Sequence, residues 1–580
     1  MQISMKKPIQ KIYSKKEQFI LIGLTGQIGS GCTTTAKFMK QTKEEHNLPK
    51  KFIYNNSSDR DRKRYIIYNH YINTWKPFEV ISASDIITTF FLETSIKNIR
   101  LFLKENNLAN INIDDVKKQF KKFHKKFKKI KLILNNKKIY SMKSKKLKKL
   151  KVYLFNKLPK ISNKIKQYIN EHYGYRVYSK LYQSLGDNLR TYGQINQDIA
   201  KHSTENIYII SKRINLFIKL AREKKDTNIV IDAFRNPIEM LFFREKYSAF
   251  YLFTINASEN DINDRLYKLS KMNDEEIDAQ RKKENPKKPF ENYNDFISQN
   301  IKSCIQKGDI HISNNGQSNN NNFLELYGQI IKYISLIKHP GLITPSLDEK
   351  MMQIAYTAKL NSGCLSRQVG ASITNYNGSL VAMGWNSVAE GQTPCLLRSK
   401  NELIQSTTSN SYSIYEKSNK FINALKIHSP KLKLKSLKGL NQSFCFSEVH
   451  NKFIEYENNK RNNIENCKCD KNQVFTRSLH AEENAFLQIS KYGGQGIKDG
   501  TLYSTASPCE LCSKKAYQLG IKRIVYIDPY PGIAQTQILL SGQVPPIINL
   551  FKGAIGIAYH KLYEQTLPYK DELTSLEKKI

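Results

Sequence analysis

The chain has 580 residues, and a prior of roughly 150 residues per domain makes it several domains or two large ones with insertions, excluding a single small module. Hydrophobic residues make up 40% and aromatics 11%, enough to bury cores throughout, so global disorder is excluded. Ninety-three lysines and arginines against 51 acids leave a net charge of +42, which suits a polyanionic partner.

The first element predicted is a buried strand at 18–26, QFILIGLTG, followed by GQIGSGCTTTAKFMK, a glycine-rich turn opening a helix. Gly26, Gly29 and Gly31 would let backbone N–H groups turn inward around an anion at a helix N-terminus. The position that normally carries a phosphate-reaching lysine is Cys32, while Thr33 keeps the hydroxyl expected on Mg2+. Further strands are predicted at 77–85, 228–234, 250–258 and 308–316, with helical stretches between, as in a parallel α/β domain. The helix FLELYGQIIKYISLI closes this domain, and HPGLITPS (339–346) reads as a linker.

One stretch within 1–340 stands apart, a lysine-rich insertion at about 100–175. Val116 to Asn170 contains 21 lysines and no acid, with an apolar stripe at Phe120, Phe123, Phe127, Ile130 and Leu134. It is expected to be solvated or to meet a polyanion, a regulatory RNA being the functional reading. Beyond the linker come a helix at LDEKMMQIAYTAKL and a hairpin through VGASITNYNGSLVAMGWN, turning at Asn377 and Gly378. A polar insertion follows at about 396–474.

SLHAEENAF (478–486) and TASPCELCSKKA (505–516) carry the strongest chemical signal. His480, Cys509 and Cys512 supply three ligands for tetrahedral Zn2+ and leave a fourth position for water, the arrangement of a catalytic site. Pro508 before the C-x-x-C pair predicts that both thiolates project from the first turn of a helix, where the dipole favours the anion. Glu482 would lie beside the metal without ligating it. H-x-E with P-C-x-x-C is the known signature of zinc nucleobase deaminases. In that chemistry water activated by zinc attacks C4 of cytosine while the glutamate carries protons to N3 and to the departing ammonia.

SGCLSRQVGAS, GWNS, HAEEN and SPCELC together resemble the deoxycytidylate deaminase branch of the cytidine deaminase-like fold. The resemblance implies that 346–580 forms an α/β/α deaminase domain, that Asn386 contacts the sugar, and that the Ala481 backbone holds the pyrimidine edge. KYGGQG, YIDPYPGIA, GAIGIAYHKLY and PYKDEL, with a P-loop domain in front, resemble the bacterial antiviral dCTP/dCMP deaminases. This implies depletion of deoxycytidine nucleotides during phage infection, and homo-oligomers. In the first domain, Asp85, LGDNLRTYG and VIDAFRNPIE, with Asp232 and Arg235, resemble phosphate and acceptor positions of P-loop nucleoside kinases. Cys32 disfavours phosphoryl transfer, so this domain is expected to sense a nucleotide with Mg2+ and to gate the deaminase.

Three other expectations complete the reading. Cys445, His450, Cys467 and Cys469 could hold a second, structural zinc, with free thiols as the alternative. No apolar run reaches a membrane span and the N-terminus lacks a signal-peptide core, so a cytoplasmic protein without membrane contact is expected. The competing functions are a polynucleotide cytidine deaminase, a housekeeping dCMP deaminase, and a nucleotide kinase with a structural zinc domain.

Overall fold

A computed structural model of the chain describes residues 6–48, 58–112, 144–222, 226–270, 272–284, 296–316, 322–405, 409–428, 438–462, 476–494, 496–529 and 532–577. The chain divides into two units: Met1–Pro345 with Lys552–Ile580, and Ser346–Phe551. The division falls inside the anticipated linker. Lys552–Ile580, however, packs with the first unit and not, as expected, with 346–580. Gly553–Ala554 adds an antiparallel edge to the first unit's sheet, and Ala558 and Leu562 enter that unit's core.

That sheet is built from β1 (Phe19–Thr25), β2 (Phe78–Ser82), β3 (Thr227–Asp232), β4 (Phe250–Asn256) and β5 (Ile310–Ser313). All five are parallel, in the order β5-β4-β1-β3-β2, and correspond to the five predicted runs. β1 and β3 are buried along almost their whole length, as central parallel strands covered on both faces must be. The strand order reverses at β1, and the crevice beyond the carboxyl ends of strands at such a point is where open α/β sheets bind ligands.

Part of the lysine-rich stretch belongs to the core. Helices Ser144–Val152 and Leu158–Tyr173, with the wide helical turn Tyr153–Lys157 between them, bury Leu147, Leu150, Leu154, Leu158, Ile161, Ile165 and Ile169 in the main cluster of the first unit. Steps of three and four residues place these side chains on one face while the lysines keep their ammonium ends at the rim. The segment from Ser144 onward is thus a structural layer of this unit. The stripe from Phe120 to Leu134 lies outside the described residues.

The second unit carries a five-stranded sheet of β6 (Gly370–Thr374), β7 (Leu380–Trp385), β10 (Thr501–Ala506), β11 (Arg523–Asp528) and β12 (Ile547–Leu550), in the order β12-β11-β10-β6-β7. β8 (Ser387–Val388) and β9 (Ser478–Leu479) form a separate short ladder. The β6–β7 hairpin turns where predicted, and β10, β11 and β12 are parallel. The described part of 396–474 has a small core of its own, with Leu403, Phe421, Leu425 and Phe444 near a fully buried Arg398–Glu416 pair at 2.6 Å.

Among the described residues, no helix is long and apolar enough to cross a membrane.

Candidate metal centre and active site

Two helix N-termini supply the predicted ligands. His480 follows β9 and caps helix Ala481–Tyr492, and Glu483 reaches back to the His480 backbone N–H at 3.4 Å. This reciprocal capping fixes the entry of the chain into the helix, and with it the imidazole. Cys509 caps helix Glu510–Gln518, and Cys512 stands in its first turn, as the proline-led spacing predicts.

Helix Ala481–Tyr492 lies against β7 at a point where a side chain is not tolerated. A Cβ on Gly384 would stand 2.3 Å from the Ala481 carbonyl oxygen and 2.5 Å from the Ala485 nitrogen, so only glycine allows this approach. Asn484 adds a side-chain N–H bond to the Trp385 carbonyl at 3.0 Å. Together these contacts set the depth at which His480 and Glu482 sit.

His480 Nδ1 is 3.2 Å from Cys509 Sγ and 3.4 Å from Cys512 Sγ, and the three ligand atoms lie within 4.8 Å of one another. Among the described residues this is the one His, Cys, Asp and Glu group so assembled. One imidazole nitrogen and two thiol sulfurs converging at that spacing suit Zn2+, and they leave a tetrahedral position without a protein ligand. The electrostatics agree with a cation site. Hydrogen bonding from the Cys512 thiol and from His480 lowers the pKa of the Cys509 thiol, whereas that of Cys512, which shares its proton with Cys509, is pushed up. His480 is held above its ordinary value, first by its hydrogen bond with Cys509.

Glu482 is only 4% exposed. Its Oε1 accepts a hydrogen bond from Ser504 Oγ at 2.8 Å, and burial raises its pKa. A buried carboxyl raised in this way and held by one hydroxyl has the chemistry of a positioned proton carrier. Ser504 was not identified from the sequence. It lies on β10, which is buried on both faces, so no polar–apolar alternation marks the side facing Glu482. Arg367, ion-paired with Asp528 at the end of β11, is a second feature that motif reading missed.

Asn386 is 7% exposed and is engaged by the backbone before β6. Its Nδ2 donates to the Arg367 carbonyl and its Oδ1 accepts from the Val369 N–H, each at 2.7 Å. It braces that loop, whatever it also offers to a sugar. Ala481 is fully buried as the first residue of its helix. Of the suggested second zinc group, Cys467 and Cys469 lie outside the described residues. His450 Nδ1 is 2.9 Å from the Tyr415 hydroxyl and its ring stacks on Phe446. Burial raises the pKa of the Cys445 thiol, with smaller contributions from the Cys395 and Cys364 thiols.

In the first unit the glycine loop also forms where expected, between β1 and helix Cys32–Lys40. Gly31 has φ +107°, and a Cβ there would lie 2.2 Å from Asn314 Nδ2, so the loop is closed against the turn after β5. Thr33 Oγ1 donates to Asp232 Oδ2 at 3.0 Å. Arg235 pairs with Glu284 at 2.5 Å, and Glu284 also accepts from the Ile28 N–H at 3.3 Å. The Cys32 thiol lies 3.7 Å from Ser30 Oγ, and burial with the nearby Asp232 carboxylate pushes it up to about 12, so it stays neutral.

Comparison with known proteins bears on the second unit. A family model described as the cytidine and deoxycytidylate deaminase zinc-binding region matches residues 345–528. Deoxycytidylate deaminase of Enterobacteria phage T2 is 27% identical over 190 residues, covering 31% of this chain and 79% of that protein. Its phage T4 counterpart is also 27% identical over 190 residues, covering 31% and 77%. Deoxycytidylate deaminase of Schizosaccharomyces pombe is 26% identical over 222 residues, covering 37% and 49%. The segment that brings His480, Glu482, Cys509 and Cys512 together thus falls within the residues matched by that family model and is similar to the deoxycytidylate deaminases.

Proposed function

We propose that the second unit hydrolytically deaminates deoxycytidine nucleotides, dCMP, dCTP or both, to the deoxyuridine forms. The observation that carries this reading is the buried Glu482 carboxyl, held by Ser504 beside the His480, Cys509 and Cys512 ligand set. The nucleotide class is supported by the deoxycytidylate deaminases to which this segment is similar.

Zinc, held by His480, Cys509 and Cys512, would supply a Lewis acid that lowers the pKa of water. Glu482 takes one proton from the attacking water and delivers it to N3 of the pyrimidine, then takes a second from the new C4 hydroxyl and delivers it to the amino group, which leaves as ammonia as the C4 carbonyl forms. Ser504 orients the carboxyl through each transfer, and burial favours its protonated form. The helix starting at Ala481 holds the acid and one ligand on the same rigid turn, so proton donor and metal site keep their spacing.

In the same reading the enzyme depletes the deoxycytidine nucleotide pool during phage infection, and the first unit responds to a nucleotide with Mg2+. The direct test incubates the purified protein with dCMP, dCTP, CMP, cytidine and a cytosine-containing oligonucleotide, and identifies the products. Conversion of dCMP or dCTP with the oligonucleotide untouched supports the proposal. Deamination confined to the oligonucleotide refutes it in favour of polynucleotide editing.

A further inference from the structure

The first unit holds a cavity of about 860 Å3 that the deaminase chemistry does not use. It opens at the carboxyl ends of β1 and β3 and has two parts. One part is the glycine loop with Thr33, Lys37 and Asp232. The other is lined by aromatic and polar side chains, including Phe155, Tyr175, Tyr178, Tyr182 and Gln183. A volume near this size suits a ligand of nucleotide dimensions. An anion cradle joined to a set of aromatic rings fits a phosphate at one end and a stackable base at the other.

A phosphate loop normally adds a point charge to its backbone dipoles, and Cys32 offers none because its thiol is neutral. The cavity receives a cation from elsewhere. Lys166, on helix Leu158–Tyr173, is half-buried in the wall, with Nζ 5.5 Å from the Tyr178 ring centroid and 6.0 Å from that of Tyr175. Among the described residues it has no carboxylate within ion-pair distance. It lies within electrostatic range of Asp232 and Lys37, at the junction of the two parts. A half-buried ammonium beside a second cation, with no salt bridge, is stabilised by an arriving anion.

Resting on the reading that the first unit takes a nucleotide, we propose that this cleft binds it as a nucleoside phosphate, with Lys166 supplying from a neighbouring helix the phosphate-directed cation that the loop lacks at Cys32, and with Tyr175, Tyr178 and Tyr182 receiving the base.

The test measures binding to the full-length protein by calorimetry. The probes are ATP, GTP, UTP and dTTP, the corresponding monophosphates, and inorganic tripolyphosphate, each with Mg2+. Cytosine nucleotides are left out so that the zinc site does not contribute. At least one nucleotide is expected to bind at one equivalent, and Lys166→Gln and Lys166→Met to weaken it about ten- to hundredfold, as loss of a charge-assisted hydrogen bond does. Lys166→Arg should restore most of the affinity, and Tyr178→Leu should weaken the nucleotide but not tripolyphosphate. Zinc content and melting temperature confirm that each variant is folded, and Lys166→Met keeps the packing of the stem. If a nucleoside phosphate binds but Lys166→Gln and Lys166→Met leave its affinity unchanged, the Lys166 assignment is overturned, whereas if none binds at all the nucleotide reading of this unit fails with it. The proposal is equally overturned if tripolyphosphate binds as tightly as the nucleotides, since the aromatic part then recognises nothing.

Discussion

Glu482→Gln separates a proton carrier from a metal ligand and from a structural residue. Glutamine has nearly the same volume, and its Oε1 can still accept the Ser504 hydroxyl now 2.8 Å from the carboxylate, so packing and the hydrogen bond survive. The variant also removes the cost of ionising a side chain only 4% exposed, so stability should be unchanged or slightly higher at neutral pH. What disappears is the ability to accept and return a proton. General acid–base catalysis by one positioned group contributes about 10²–10⁴-fold, so kcat should fall by that factor, or about 3 to 5.5 kcal/mol of barrier. Ammonia release from dCMP and dCTP, measured beside zinc content and the melting curve, provides the assay. Cys509→Ala serves as the contrast and should lose zinc as well as activity. A Glu482→Gln protein that kept more than about a tenth of wild-type kcat would refute the assigned proton path. One that lost zinc as Cys509→Ala does would make the glutamate a ligand.

Three further outcomes are expected. Gly384→Ala pushes a Cβ into the Ala481 carbonyl and the Ala485 nitrogen, both backbone atoms that cannot swing aside; it should cost about 1–3 kcal/mol and lower zinc occupancy, read by thermal melting and metal analysis. Arg398→Ala leaves Glu416 buried and unpaired and should destabilise the second unit by about 3–5 kcal/mol, whereas the double variant Arg398→Met with Glu416→Gln should recover part of the loss in denaturant unfolding. Burial raises the Asp85 carboxyl from 3.8 to about 6, so its favourable contribution is complete below pH 3.8 and disappears as pH rises through about 6. Asp85→Asn should therefore gain stability over wild type between about pH 4 and 7, by up to about 3 kcal/mol, and a constant difference across that range would contradict the assignment.

The sequence showed most clearly the elements whose chemistry is local. Strand, glycine turn and helix at 18–40 follow from an apolar run, three glycines and a helix-forming tail, and β1 with its following helix lies there. The convergence of His480, Cys509 and Cys512 was legible for the same reason, because H-x-E and P-C-x-x-C each fix geometry within a single turn. Partners that meet across the fold were not legible. Ser504 and Glu482 are 22 residues apart and meet because β10 passes under helix Ala481–Tyr492; Arg367 reaches Asp528 across 161 residues. At Ser144–Tyr173 the lysines dominate the composition, and the packed helical layer is carried by the three- and four-residue spacing of leucines and isoleucines between them.

The same spacing explains why Cys32 and Lys166 bear on one another. A helix that buries Leu158, Ile161, Ile165 and Ile169 on its inner face must place Lys166 next to that face, one step of about 100° from Ile165. The aliphatic stem can then follow the apolar wall while the ammonium emerges in the cleft. In a loop of the usual kind the cation and the cradle lie on one short segment and move together. Here the cradle belongs to the turn after β1 and the cation to a separate helix, so how the cleft holds an anion depends on how that helix packs. Substitutions on the inner face, such as Ile165→Ala, should therefore loosen nucleotide binding without touching the loop, whereas the backbone cradle at Gly31 should keep its shape.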